Sequence, residues 1–227
     1  ELPKVKGFRE TTIEELLMQK TISDWLNPVP LLAILRGIAP HEVDEVGDVL
    51  IELGYQILEV PLNSPDPYQS IEQLAKRYSG SALIGAGTAL KPEQVPQVAD
   101  AGGTLIVSPN LNPEVVKATK RMGMISVPGV FTPTEAFHAL DAGADALKIF
   151  PGDAISPSYC KALRAVLPKG TLLVVTGGVN AANLSDFLAV SNGAGIGSAL
   201  YSPGKTVKQI RADALKFVHA LTEESNG

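Results

Sequence analysis

Eight short apolar runs recur along this chain at intervals of about 22 residues, and that period leaves few folds open. The runs cover residues 30–35, 56–62, 82–88, 104–109, 124–130, 146–151, 171–178 and 193–198. Each is nearly continuous in apolar side chains rather than alternating, as strands buried on both faces are. Between them lie amphipathic stretches at 40–53, 92–101, 113–122, 133–141 and 181–190. Several of these open on proline, and Gly54, Gly102 and Gly143 supply stops. The unit is close to the shortest that holds a strand, a loop, a helix and a loop. Eight such units predict an α/β fold, a (β/α)8 TIM barrel over residues 30–227. An open doubly wound sheet is the structural alternative. Residues 1–29 form an N-terminal extension. There Thr11-Thr12-Ile13-Glu14-Glu15 has the pattern of a capping box. It predicts a helix that closes the bottom of the barrel and reaches Trp25 before the turn at Asn27-Pro28.

Charge and composition exclude several classes of function. The chain carries 19 basic and 24 acidic residues, a net charge of -5, which argues against a nucleic-acid surface. A small anionic substrate stays compatible, because a pocket can be locally positive on an acidic protein. The lone Cys160 rules out an intrachain disulfide and points to a reducing compartment. His41, His138 and His219 fall in helical stretches without ligand-like spacing, so no metal site is expected. No apolar run is long enough to span a membrane, and the first residues lack a signal-peptide core. The reading is a soluble, cytoplasmic protein with no membrane partner.

Two ionisable residues interrupt the apolar runs. Lys148 sits within Ala146-Leu147-Lys148-Ile149-Phe150-Pro151, and Glu59 within Gln56-Ile57-Leu58-Glu59-Val60-Pro61-Leu62. Burying an ammonium among Leu, Ile and Phe lowers its pKa and frees the amine to attack a carbonyl. Glu59 would be the proton carrier such chemistry needs. A purely structural ion pair across the barrel interior remains open on these grounds.

Active sites of such barrels lie at the carboxyl ends of the strands. Those ends hold Arg36, Glu59, Thr88, Ser108-Pro109, Pro128-Gly129, Lys148, Thr176-Gly177-Gly178 and Gly197-Ser198. Arg36 suits a carboxylate or phosphate, or is a partner for Glu59 alone. Gly85-Ala86-Gly87 before Thr88 leaves interior space for a ligand, or merely packs the barrel. Phe150 shares a strand face with Lys148 and would wall a pocket. Gly177-Gly178 and Gly197-Ser198, after the seventh and eighth strands, are candidate phosphate cradles, because backbone amides approach a phosphate only where side chains are absent. The alternative is that these glycines only permit tight turns.

These motifs together resemble the 2-keto-3-deoxy-6-phosphogluconate/4-hydroxy-2-oxoglutarate aldolase family, and within it the 6-phosphogalactonate branch. The likeness is carried by Pro30-Leu31-Leu32-Ala33-Ile34-Leu35-Arg36-Gly37, Glu59-Val60-Pro61-Leu62-Asn63-Ser64-Pro65 and Leu83-Ile84-Gly85-Ala86-Gly87-Thr88. It continues through Ser108-Pro109-Asn110, the Lys148 strand, Gly177-Gly178-Val179 and Gly197-Ser198. The resemblance implies a class I aldolase with Lys148 as the Schiff-base lysine and Glu59 as the general acid/base. It implies substrate contacts from Arg36, Thr88, Pro109, Phe150, Gly177, Gly178, Gly197 and Ser198. It also implies a phosphorylated keto-deoxy sugar acid and pyruvate as ligands, no cofactor and a homotrimer. The gluconate-type members carry arginine four residues after the glutamate, where this chain has Asn63. That departure puts the carboxylate-binding role in question and makes Arg36 the candidate replacement. The 6-phosphogluconate epimer, 4-hydroxy-2-oxoglutarate and a sugar-phosphate isomerase or epimerase on the same barrel are the competing readings.

Overall fold

A computed structural model describes residues 20–224. Its strand segments are β1 (Leu31–Ile34), β2 (Ile57–Pro61), β3 (Leu83–Gly87), β4 (Leu105–Val107), β5 (Ile125–Val127), β6 (Gly129–Val130), β7 (Leu147–Ile149), β8 (Leu173–Thr176) and β9 (Gly193–Ile196). They join in the order β5-β4-β3-β2-β1-β9-β8-β7-β6, and every pairing is parallel. Only Pro128 separates β5 from β6, so the two ends of the sheet belong to one strand and the barrel closes with eight. Proline has no N–H for the ladder, which divides the expected 124–130 strand in two. Its carbonyl still accepts the Lys148 amide at 2.9 Å.

The continuous apolar runs have a simple cause. Alternate strand residues face two different cores, both dry. Leu31, Ala33, Leu58, Val60, Ile84, Leu147, Ile149 and Val175 point outward onto the helices, where Leu50, Leu74, Val98, Val115, Leu163 and Phe217 cover them. Leu32, Ile34, Ile57, Leu83, Leu105, Val107, Val127, Ala146 and Val174 fill the barrel interior. Ile22, Trp25 and Leu26 belong to that inner cluster. They come from a short helix, Ile22–Trp25, whose Thr21 and Asp24 cap each other: the Thr21 amide donates to Asp24 Oδ2 at 2.7 Å, and Thr21 Oγ1 accepts the Asp24 amide at 3.3 Å. The capping box expected at Thr11 and Thr12 lies outside the described residues.

The outer helices start where proline predicts. Pro67–Arg77, Pro113–Arg121, Pro133–Asp141 and Pro157–Val166 each have proline in the first turn. Thr132 and Glu135 add a reciprocal cap to the third. The stretches expected at 40–53, 92–101 and 181–190 are shorter, at Val43–Glu52, Gln94–Asp100 and Leu184–Leu188. His41 accordingly sits in a turn and not a helix, while His138 and His219 are helical; all three are exposed. Among the described residues, no helix is long and apolar enough to cross a membrane.

Candidate active site

Strand parity builds the site. The alternation that turns Ile57, Ala146 and Val174 inward carries Glu59, Lys148 and Thr176 one layer further toward the carboxyl ends of their strands. Lys148 is 4% exposed and Glu59 1%, so both ionisable groups are removed from water. Burial pushes the Glu59 carboxyl up to about 7, against the pull of the Lys148 and Arg36 charges. Burial likewise lowers the Lys148 ammonium below the ordinary lysine range; Glu59 opposes that fall and Arg36 reinforces it. Glu59 Oε2 is buried with no hydrogen-bond partner among the described residues. The pair thus differs from a tight structural salt bridge, which would leave the carboxylate well below its usual range.

Gly87 makes room for this carboxyl. A Cβ there would overlap Glu59 Oε2, and one on Gly85 would overlap the Leu105 carbonyl, so these glycines before Thr88 make room for Glu59 and for the neighbouring strand rather than for a ligand. On the other side, Lys148 Nζ lies 5.0 Å from the centre of the Phe150 ring, within cation–π range.

Above these groups opens a cavity of about 430 Å³. Ile34, Arg36, Lys148, Phe150 and Thr176 line it, together with the turns Gly177-Gly178-Val179-Asn180 and Gly197-Ser198-Ala199. Both glycine turns therefore meet in one cavity with the lysine. The backbone at Gly178 has φ +68°, and a Cβ there would come 2.5 Å from Asp153 Cβ, so glycine is required twice over. Arg36 reaches the rim, where its Nη1 donates to Asn63 Oδ1 at 2.8 Å and to Thr88 Oγ1 at 3.3 Å. Thr88 adopts φ +55°, a left-handed conformation uncommon outside glycine, at the point where its hydroxyl meets the guanidinium.

The expected residues are not all on the cavity wall. Glu59 and Thr88 do not line it: Glu59 lies within reach of the Lys148 and Arg36 charges, and the Thr88 hydroxyl accepts from Arg36 at the rim. Pro109 stands apart from the lining, with its carbonyl packed where a Gly129 side chain would be. Ser108 is turned away, its hydroxyl donating to the Ala89 carbonyl at 2.7 Å. Asn180 and Ala199 line the cavity but were not singled out from the sequence. The signal for Asn180 was the pair Asn180 and Asn183 directly after Gly178-Val179: the Asn180 amide donates to Asn183 Oδ1 at 2.8 Å, and Asn183 Nδ2 donates to the Gly178 carbonyl at 3.0 Å. Ala199 carries only a methyl group, which gives no chemical signal in the sequence.

Comparison with known proteins agrees with this geometry. Residues 22–218 match the family model for KDPG and KHG aldolase. The 2-dehydro-3-deoxy-6-phosphogalactonate aldolase of Escherichia coli (strain K12) is 48% identical over 200 residues, covering 88% of this chain and 98% of that protein. A probable 2-dehydro-3-deoxy-6-phosphogalactonate aldolase of Rhizobium meliloti (strain 1021) is 47% identical over 192 residues, 84% of this chain and 91% of the relative. The solved structure of native KDPGal is 46% identical and superposes with a TM-score of 0.87, over 89% of this chain and 99% of that one. With a parallel eight-stranded barrel and a buried lysine and glutamate at its mouth, the chain belongs to the KDPG and KHG aldolase family.

Proposed function

We propose that this aldolase cleaves 2-dehydro-3-deoxy-6-phosphogalactonate to pyruvate and glyceraldehyde 3-phosphate through an imine on Lys148. The observation that carries the reading is the desolvated Lys148 amine at the wall of the cavity, with the charge of Glu59 close enough to oppose the fall in its pKa. The neutral amine adds to the C2 ketone, and loss of water leaves a protonated imine. That cation accepts the electron pair of the C3–C4 bond as the C4 hydroxyl loses its proton. Glyceraldehyde 3-phosphate departs and an enamine remains. Glu59, whose pKa of about 7 suits proton transfer in both directions near neutrality, delivers a proton to C3. Hydrolysis then frees pyruvate and restores the amine. No metal or cofactor enters this sequence of steps.

Arg36, held by Asn63 and Thr88, takes the substrate carboxylate in this reading, and the two glycine turns take the phosphate. Asn63 and the two relatives named for the galactonate epimer favour that epimer over the gluconate one. The exposed rings of Phe131 and Phe137 supply an apolar surface for the homotrimer that the family resemblance implies. The single Cys160 suits the reducing cytoplasm.

Borohydride reduction in the presence of pyruvate tests the chemistry. Mass spectrometry should find a reduced pyruvate adduct on the peptide containing Lys148 and none on Lys148→Ala. An isomerase or epimerase, which makes no imine, would give no adduct in either protein. The ratio of kcat/KM for the two C4 epimers decides the substrate; a clear gluconate preference would overturn the branch assignment and leave the aldolase assignment standing.

A further inference from the structure

Lys205 lies behind the turn that follows β9. Its ammonium donates to the carbonyls of Ser198 and Ala199 at 3.3 Å each and of Leu200 at 3.2 Å. The same ammonium pairs with Asp213 Oδ2 at 2.7 Å, on the helix Val207–Glu224. The pair is mostly buried, with the Lys205 side chain 22% exposed and that of Asp213 21%. Three consecutive carbonyls of one turn thus converge on one cation.

Peptide planarity converts this into a statement about amides. In a trans peptide the N–H points opposite to the C=O of the preceding residue. Holding the Ser198, Ala199 and Leu200 carbonyls toward Lys205 therefore turns the Ala199, Leu200 and Tyr201 amides away from it. The Leu200 and Tyr201 amides are used inside the turn, donating to the Gly197 carbonyl at 2.8 and 3.0 Å. The Ala199 amide donates to no described residue, and Ala199 lines the cavity.

We infer that Lys205, braced by Asp213, is a positioning residue that aims the Ala199 amide at the substrate phosphate. This rests on the reading of the glycine turns as the phosphate cradle. Lys205 touches neither substrate nor reacting atoms; it acts through the backbone. A cation on the carbonyl also polarises each peptide unit and strengthens its N–H as a donor, as chained hydrogen bonds do.

The test is aldol synthesis from pyruvate with glyceraldehyde 3-phosphate or unphosphorylated glyceraldehyde, alongside deuterium exchange of the pyruvate methyl group. In Lys205→Met the KM for glyceraldehyde 3-phosphate should rise about tenfold or more, with kcat and pyruvate exchange within about twofold of wild type. The unphosphorylated aldehyde should be used as well as before. Lys205→Arg should recover most of the loss, and Asp213→Asn, which keeps the lysine but removes its brace, should move KM the same way by less. Asp213→Asn also carries the test if Lys205→Met does not fold. Equal losses on both aldehydes and on exchange, or an unchanged KM for the phosphorylated one, would overturn the proposal. If the wild type itself does not distinguish the two aldehydes, the phosphate cradle fails instead, and the two failures are thereby separated.

Discussion

At the scale of single residues, Glu59 is where burial and charge compete most openly. Burial pushes its carboxyl from an ordinary 4.5 up to about 7, against the pull of Lys148 and Arg36. Between those values the unfolded chain has lost the proton and the folded chain keeps it, so the unfolded state binds fewer protons. Stability must then fall as pH rises through this window and level off above it. The shift is equivalent to about 3 kcal/mol. Glu59→Gln removes the titration, so denaturant unfolding at about pH 4 and about pH 8 should show the variant gaining on the wild type by up to about 3 kcal/mol. A constant difference would mean that the carboxyl ionises normally. The same variant should suppress exchange of the pyruvate methyl protons by a factor of about 100 or more while imine formation is slowed less. Gly87→Ala should imitate it, because the added methyl displaces the Glu59 carboxyl without changing any ionisable group. Unaltered exchange in Gly87→Ala would show that Glu59 moves freely.

At the scale of elements, the two glycine turns and the helix caps separate function from stability. Gly178→Val places a branched side chain at φ +68° against Asp153, in the wall of the cavity. It should raise KM for the phosphorylated sugar acid far more than it slows pyruvate exchange. An equal loss in both would point to general damage to the barrel. Thr132 is the contrast. Its side chain accepts the Glu135 amide at 3.3 Å, and the Glu135 carboxylate accepts the Thr132 amide at 2.8 Å, closing the first turn of the helix Pro133–Asp141. Thr132→Ala should cost about 1 kcal/mol of unfolding free energy with little change in kcat/KM.

At the scale of the whole molecule, the barrel has a chemical end and a structural end. Trp25 is 8% exposed and packs with Ile22, Leu26 and the inner layer of strand residues, at the end opposite Lys148. Trp25→Ala should lower unfolding stability by about 3 kcal/mol or more and leave kcat/KM within about twofold. A large loss of kcat/KM at unchanged stability would contradict this division of the barrel. Association belongs to the same scale. Light scattering should give three times the chain mass of 23.9 kDa, and Phe131→Ser together with Phe137→Ser should shift it toward the monomer.

Much of this was written in local pattern. The period of the apolar runs requires strands covered on both faces, because nothing else makes nearly every residue of a short strand apolar. Proline marked the helix starts at Pro113 and Pro133, since its backbone restriction acts within a residue or two, while the helices after Pro40 and Pro92 begin later, at Val43 and Gln94. Lys148 and Glu59 were visible as charges where charge is costly. What pattern could not decide depended on contacts between distant units. Gly87 serves Glu59 and Asn63 serves Arg36, each across a gap in the chain that only the pairing of neighbouring strands brings together; Lys205 serves the Ser198 turn from the same loop, and Asp213 of the last helix holds it there. The Ala199 amide carries no side-chain signature at all; its direction is set by the carbonyl bonded behind it. Local sequence determined the elements and the charges they bury, and tertiary closure decided which groups hold which.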